Sequence, residues 1–218
     1  RKTSLGHEVL HNWWGNGVYV DHARGNWSEG LTTFMADYAF KEDESPAAVS
    51  EMRLGWLRDA LALPAGGNPR VRALADEWRR RHGDDGAAIL STVQEFFAQQ
   101  LLSYTLNPPL LGPDMIDEFL FDTKRGFCEH FAAAFVYALR AAGVPARVVA
   151  GYQGGEVNPV DGYLVVRQYD AHAWTEAWIA GRGWVRVDPT ASSAPSRINS
   201  NLAAAVPTGE ELPFLVRT

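Results

Sequence analysis

The sequence is poor in three features that would place it quickly. It holds a single cysteine, Cys128, so no intramolecular disulfide can form and any thiol chemistry must pass through that one sulfur. It has no basic excess: the formal net charge is -6 and the pI about 5.5. Nucleic acid and anionic membrane surfaces are therefore not expected partners. It also has no uninterrupted apolar run of the ~20 residues that a membrane span needs. Nor does a basic start lead into an apolar stretch and a small-residue cleavage site. The chain enters a motif within a few residues of Arg1, and we read it as a piece of a longer protein.

What is present suits a folded enzyme. Hydrophobic residues make up 46% of 218, enough for a packed core. Residues 1–63 read as a small all-helical segment, with helices around 6–14, 28–41 and 46–61. Ser45 is placed to cap the third, and Pro46 occupies its first position. The run Pro64-Ala65-Gly66-Gly67-Asn68-Pro69 is the strongest breaker in the chain and reads as a linker over 64–69. A second domain follows over 70–198. Helices are expected from Arg70 to about Arg81, where Arg79-Arg80-Arg81 forms a solvated face. Another carries Ile89, Val93, Phe96, Phe97, Gln100 and Leu101. After Asn107-Pro108-Pro109 and an irregular stretch, Cys128 opens a helix with Phe131, Phe135, Leu139 and Ala142 on one side, stopped by Gly143 and Pro145. The texture then turns to strands, over 146–153, 162–168, 171–179 and 183–188. Helices first and an antiparallel sheet afterwards define an α+β domain. Residues 199–218 form an irregular tail.

The chemistry-bearing pattern centres on Gly126-Phe127-Cys128-Glu129-His130. A glycine turn delivers a cysteine to a helix start, where free N–H groups and the helix dipole favour an anionic sulfur. The same groups can receive a developing oxyanion. The bland alternative is a core cysteine sharing the apolar face of Phe131 and Phe135. His130 is a poor base for Cys128, because helix positions two apart point in different directions. His172 suits better: it shares one strand face with Trp174, Glu176 and Trp178. Asp188, ending the next strand beyond Gly181-Arg182-Gly183, can approach the imidazole from across the sheet. Asp170, two residues before His172, is the competitor.

These blocks, with Gly143-Val144-Pro145-Ala146-Arg147, His172-Ala173-Trp174, Gly183-Trp184 and Val187-Asp188-Pro189-Thr190, resemble the transglutaminase-like superfamily. Pro108-Pro109-Leu110-Leu111-Gly112 and Gly151-Tyr152-Gln153-Gly154-Gly155-Glu156 are similar to its bacterial membrane-anchored, TgpA-type branch. The resemblance implies a papain-like core that needs no cofactor. It implies a Cys128–His172–Asp188 triad acting on glutamine-type amides of a protein or peptide substrate. Acyl transfer to an amine, or hydrolysis by the same triad, would follow. Trp174 matches a position flanking the site. The branch implies a membrane-anchored parent on the periplasmic face of a bacterial inner membrane, although this chain carries no span.

The first segment carries a second pattern. His7-Glu8-Val9-Leu10-His11 is HExxH, with two imidazoles one helical turn apart. Glu29 follows as a third ligand, and Glu8 would activate a zinc-bound water. This set resembles the gluzincin metallopeptidases of the aminopeptidase N type, with the interval from His11 to Glu29 one residue short of that family's spacing. It makes zinc a possible cofactor of the first segment and a zinc metallopeptidase the rival reading. Inhibitors separate the two. The thiol reading expects iodoacetamide to abolish activity and a chelator to spare it; loss with the chelator alone would move the chemistry to the zinc motif.

Overall fold

The computed structural model of the protein describes residues 14–15, 18–19, 41–167 and 170–195. The chain divides into two compact units, Arg1–Arg58 and Asp59–Thr218. In the first, Trp14–Gly15 (β1) pairs in parallel with Val18–Tyr19 (β2). A segment expected to be all helical thus holds two short extended stretches. Gly15 and Gly17 dilute helix propensity there, and the aromatic and β-branched residues suit strands. Helix α1, Pro46–Asp59, starts as the sequence indicates: the Ala48 amide donates to Ser45 Oγ at 3.1 Å. The zinc motif residues His7, Glu8, His11 and Glu29, the helix expected over 28–41 except for its last residue, the helical Lys41, and the tail over 199–218 lie outside the described residues. Among the described residues no helix is long and apolar enough to cross a membrane.

The second unit joins helices α2 (Pro69–His82) and α3 (Gly86–Gln99) to a buried capping knot. The expected linker over 64–69 lies inside this unit. Gly66, Gly67 and Asn68 all adopt positive φ there (71°, 73° and 53°), a conformation that glycine and asparagine tolerate best. Asn68 Oδ1 accepts from the amides of Ile116 and Asp117 at 2.9 and 3.1 Å. In return the buried Asp117 carboxylate accepts from the amides of Arg70 and Val71 at 2.7 and 2.9 Å. Each side chain satisfies donors that a helix start leaves orphaned. Asp117 belongs to a three-residue helix α4, Met115–Asp117, which widens into a π-helical turn over Glu118–Thr123. The sequence reads as irregular here because so short a helix, followed by i+5 bonding, shows no 3.6-residue period.

Strands β3 (Ser103–Tyr104) and β4 (Arg125–Gly126) then pair in parallel. They fix the chain just before helix α5, Cys128–Ala141. Phe131, Phe135, Leu139 and Ala142 are almost completely buried, as the periodicity requires. Burying a side chain such as Phe or Leu contributes roughly 1.5–3 kcal/mol each. Gly143, at φ 84°, ends α5: Val144 donates to Leu139 O at 2.9 Å and Gly143 to Arg140 O at 3.0 Å. This is the hydrogen-bond pattern of a left-handed glycine cap.

The sheet runs β5 (Ala146–Tyr152), β8 (Ala171–Ile179) and β9 (Gly183–Val187), all antiparallel in that order. Along β8 the buried positions Ala173, Thr175, Ala177 and Ile179 form one face, which packs on α5. Three of these four are small, so helix and sheet approach closely. The strand expected over 162–168 is reduced to Leu164–Val165 (β7), which pairs with Glu156–Val157 (β6) in a separate hairpin. Its apolar residues Val157, Tyr163 and Leu164 are exposed, so alternation here has no covered face to enforce a longer ladder. The domain is α+β, with helices ahead of an antiparallel sheet.

Asp117→Ala leaves two amides at the α2 start without their acceptors. We expect it to lower unfolding stability by about 2 kcal/mol, read from urea unfolding with an unchanged m-value. A loss below about 0.5 kcal/mol would mean that water replaces the carboxylate at no cost.

Candidate active site

Cys128 is placed by constraints on the residues around it. Thr105 donates to Gly126 O at 2.8 Å and Ser103 to Lys124 O at 2.8 Å, locking the approach. A Cβ on Gly126 would lie 2.7 Å from His130 Cβ and 2.9 Å from the Phe119 ring, so only glycine fits beneath the helix start. Phe127 is extended (φ -118°, ψ -177°) and its carbonyl accepts from His130 at 2.9 Å. The Phe127 amide in turn donates to His130 Nδ1 at 3.4 Å. His130 thus closes the helix start; burial pushes its pKa down, opposed by the Glu129 charge. Motif reading sets His130 aside as a base and has no signal for this capping role. Among the described residues no acceptor engages the backbone N–H of Cys128 or Glu129, which leaves both aimed out of the helix start.

Across from it lies His172, its side chain buried on β8. Nε2 donates to Asp188 Oδ2 at 2.6 Å. The other carboxylate oxygen accepts from the Thr190 amide at 3.1 Å, so Asp188 is held at both atoms. It sits one residue past the last ladder pair, Thr175 with Val187. Asp170 is also buried, but its Oδ2 accepts from the Arg167 amide at 2.8 Å and serves the turn before β8. The structure therefore brings Asp188 to His172 and gives Asp170 a local backbone role.

With Nε2 committed to a carboxylate, the proton resides there and Nδ1 is left bare in the neutral ring. Nδ1 is buried and has no hydrogen-bond partner in the resting geometry. Burial works against the charged ring. Hydrogen bonding and charge from Asp188 and from Cys128 outweigh it, and the His172 pKa is raised above 6.5. No hydrogen bond joins the Cys128 sulfur to Nδ1 in this geometry. Trp174 lies roughly parallel to His172, with centroids 6.3 Å apart and planes at 24°. Its six-membered ring reaches over Gly151, where a Cβ would approach it to 2.9 Å. A recess of about 380 Å³ between the Pro108–Leu111 loop, Met115 and Phe119 borders Glu129 and His130. Among the described residues no group of three His, Cys, Asp or Glu side chains gathers to hold a metal ion.

Comparison with known proteins gives this geometry a family. A family model described as the transglutaminase-like superfamily matches residues 72–189. A Pseudomonas aeruginosa protein named protein-glutamine gamma-glutamyltransferase is 54% identical over 146 residues, covering 67% of this chain and 22% of that protein. The Bacillus subtilis protein YebA is 34% identical over 137 residues, covering 60% of this chain and 18% of its own length. Among solved structures, the periplasmic domain of TgpA from Pseudomonas aeruginosa superposes with a TM-score of 0.66 at 52% identity. That match covers 69% of this chain and 52% of the other. The chain therefore spans about a fifth of the length of these curated relatives.

The raised His172 pKa has a signed consequence. A folded-state value above 6.5 stabilises the fold fully below the unfolded value, and that contribution is lost as pH rises through the folded midpoint. NMR titration of His172 should give a midpoint above 6.5 that falls on Asp188→Asn, where burial is no longer opposed by a carboxylate. A midpoint at or below 6.5 in the unmodified protein would show that burial wins.

Proposed function

We propose that this chain, which belongs to the transglutaminase-like superfamily, is a cysteine acyltransferase with Cys128, His172 and Asp188 as its catalytic triad. The observation that carries the reading is a buried imidazole whose Nε2 is fixed by Asp188 at 2.6 Å and whose Nδ1 is left for Cys128. The name of the 54% identical Pseudomonas protein supports a glutamine-type carboxamide in a protein or peptide as acyl donor.

In the first half-reaction the Cys128 sulfur, as thiolate beside imidazolium, attacks the carboxamide carbon. The carbonyl π pair moves to oxygen, where the free N–H groups at the α5 start stabilise it. His172 gives its Nδ1 proton to the departing nitrogen, so ammonia leaves as the C–N bond breaks and a thioester remains. In the second half-reaction a primary amine attacks the thioester carbon and His172 takes its proton. The C–S bond then breaks, returning the thiolate and imidazolium. Asp188 holds the ring in the required tautomer throughout, and Trp174 shields the site from water. Water in place of the amine would make the same triad a hydrolase.

No step in this cycle uses a metal. Zinc at His7, His11 and Glu29, with Glu8 as base, is a separate proposal for the first segment. The periplasmic origin of the TgpA domain supports a periplasmic setting; a membrane-anchored parent is a further proposal, resting on the resemblance to the membrane-anchored branch.

Incubation with a glutamine-bearing casein and a primary-amine probe, followed by mass spectrometry, tests the reading. We expect amine incorporation that disappears in Cys128→Ala and falls by roughly 10²–10⁴ in Asp188→Asn, where the wrong tautomer is held. Cys128-dependent release of ammonia without incorporation would replace transferase by hydrolase. Incorporation that survives Cys128→Ala would overturn the triad.

A further inference from the structure

The outer face of the sheet carries, beside His172 and Trp174, an arginine whose bonding is unusual for its position. Arg186 stands directly opposite Glu176 in the β8–β9 ladder, where a cross-strand ion pair is the ordinary outcome. That pair does not form. Glu176 Oε2 is taken from the other side by Arg147, through Nε at 2.9 Å and Nη2 at 2.6 Å. Arg147 itself lies over Trp184, 4.1 Å from the ring centroid. Arg186 turns the opposite way, toward the catalytic end of the sheet. Its guanidinium covers Trp174 at 4.3 Å from the ring centroid, and Nη2 donates to Gln153 Oε1 at 2.7 Å.

The result is a cation held flat on the tryptophan that lies alongside His172. It is exposed, and among the described residues no carboxylate pairs with it. Asp188, two residues on and on the same strand face, has both oxygens engaged. A guanidinium has five N–H donors in a planar fork. One meets a neutral amide oxygen here, and the stack fixes the plane of the rest. Such a platform is preorganised for a carboxylate, because little side-chain freedom remains to be lost on binding.

We propose that Arg186, on its Trp174 platform, is a specificity residue that binds a carboxylate on the acyl donor next to the reactive glutamine. The preferred substrates are then polypeptides with acidic residues flanking that glutamine. The inference rests on the acyl-donor reading above and deepens it.

The test uses two peptides in which a diazomethyl-ketone isostere replaces the glutamine side chain. One is flanked on both sides by Asp and the other by Asn. Saturation kinetics of labelling are followed by mass spectrometry, and Cys128 is the single cysteine of the chain. The expected result is a half-saturating concentration about tenfold lower for the Asp peptide, with similar limiting rates and a preference that fades with added salt. Arg186→Gln should erase the preference by weakening the Asp peptide alone, and Arg186→Lys should keep part of it. Iodoacetamide labelling should stay unchanged in both variants, which reports an intact thiol. An absent preference, one that survives Arg186→Gln, or equal weakening of both peptides would overturn the assignment; the last would make Arg186 a support for Trp174. Failure of both peptides to label saturably while iodoacetamide still reacts would overturn the glutamine-donor reading, and this assignment with it.

Discussion

The second unit is organised around one hydrogen bond, from His172 Nε2 to Asp188 Oδ2. An imidazole buried without a partner would lose hydration and be driven to its neutral form. Here burial is outweighed by hydrogen bonding and charge from Asp188 and from Cys128, and the pKa is raised. The bond exists only if β8 and β9 keep their register, since a slip by one residue would turn His172 to the opposite face. The loop that sets the register holds Gly181 and Gly183 at φ 75° and 77°, and Ile179 faces Gly183 across the ladder. Beyond Val187 the strand ends, and the Asp188 carboxylate accepts from Thr190. The two strands and their turns therefore serve a single contact.

The two faces of β8 divide the remaining work. Ala173, Thr175, Ala177 and Ile179 are buried toward α5, and the small volumes of the first three let helix and sheet pack closely. The other face carries His172, Trp174, Glu176 and Trp178. Charge and aromatic surface there are sorted by competition, with Arg147 claiming Glu176 and Arg186 left over Trp174. A two-residue period thus separates the core face from the face that carries the candidate site along one strand.

Much of this was legible beforehand because it follows local rules. Ser45 and Pro46 announce α1, and the apolar stripe from Phe131 to Ala142 announces α5. Gly143 marks where that helix stops. The stretch from Met115 to Thr123 was not legible, because a π-helical turn has no periodic signature. Neither was the mutual capping by Asn68 and Asp117, whose partners lie 46 to 49 residues apart. The hairpin of β6 and β7 came out shorter than its alternating sequence implied, since no packed face rewards extending it.

For the site, Cys128, His172 and Asp188 stand out as candidates from residue type and position, and the family resemblance from the motif blocks around them. Those properties depend on which side chains a helix start or a strand end presents, and these are local. The bond that joins His172 to Asp188, the capping role of His130 and the placing of Arg186 over Trp174 were decided by tertiary structure. Each depends on which of several competent partners arrives first at a shared atom. Sequence supplies the candidates, whereas only packed strands at a defined register determine which donor reaches which acceptor.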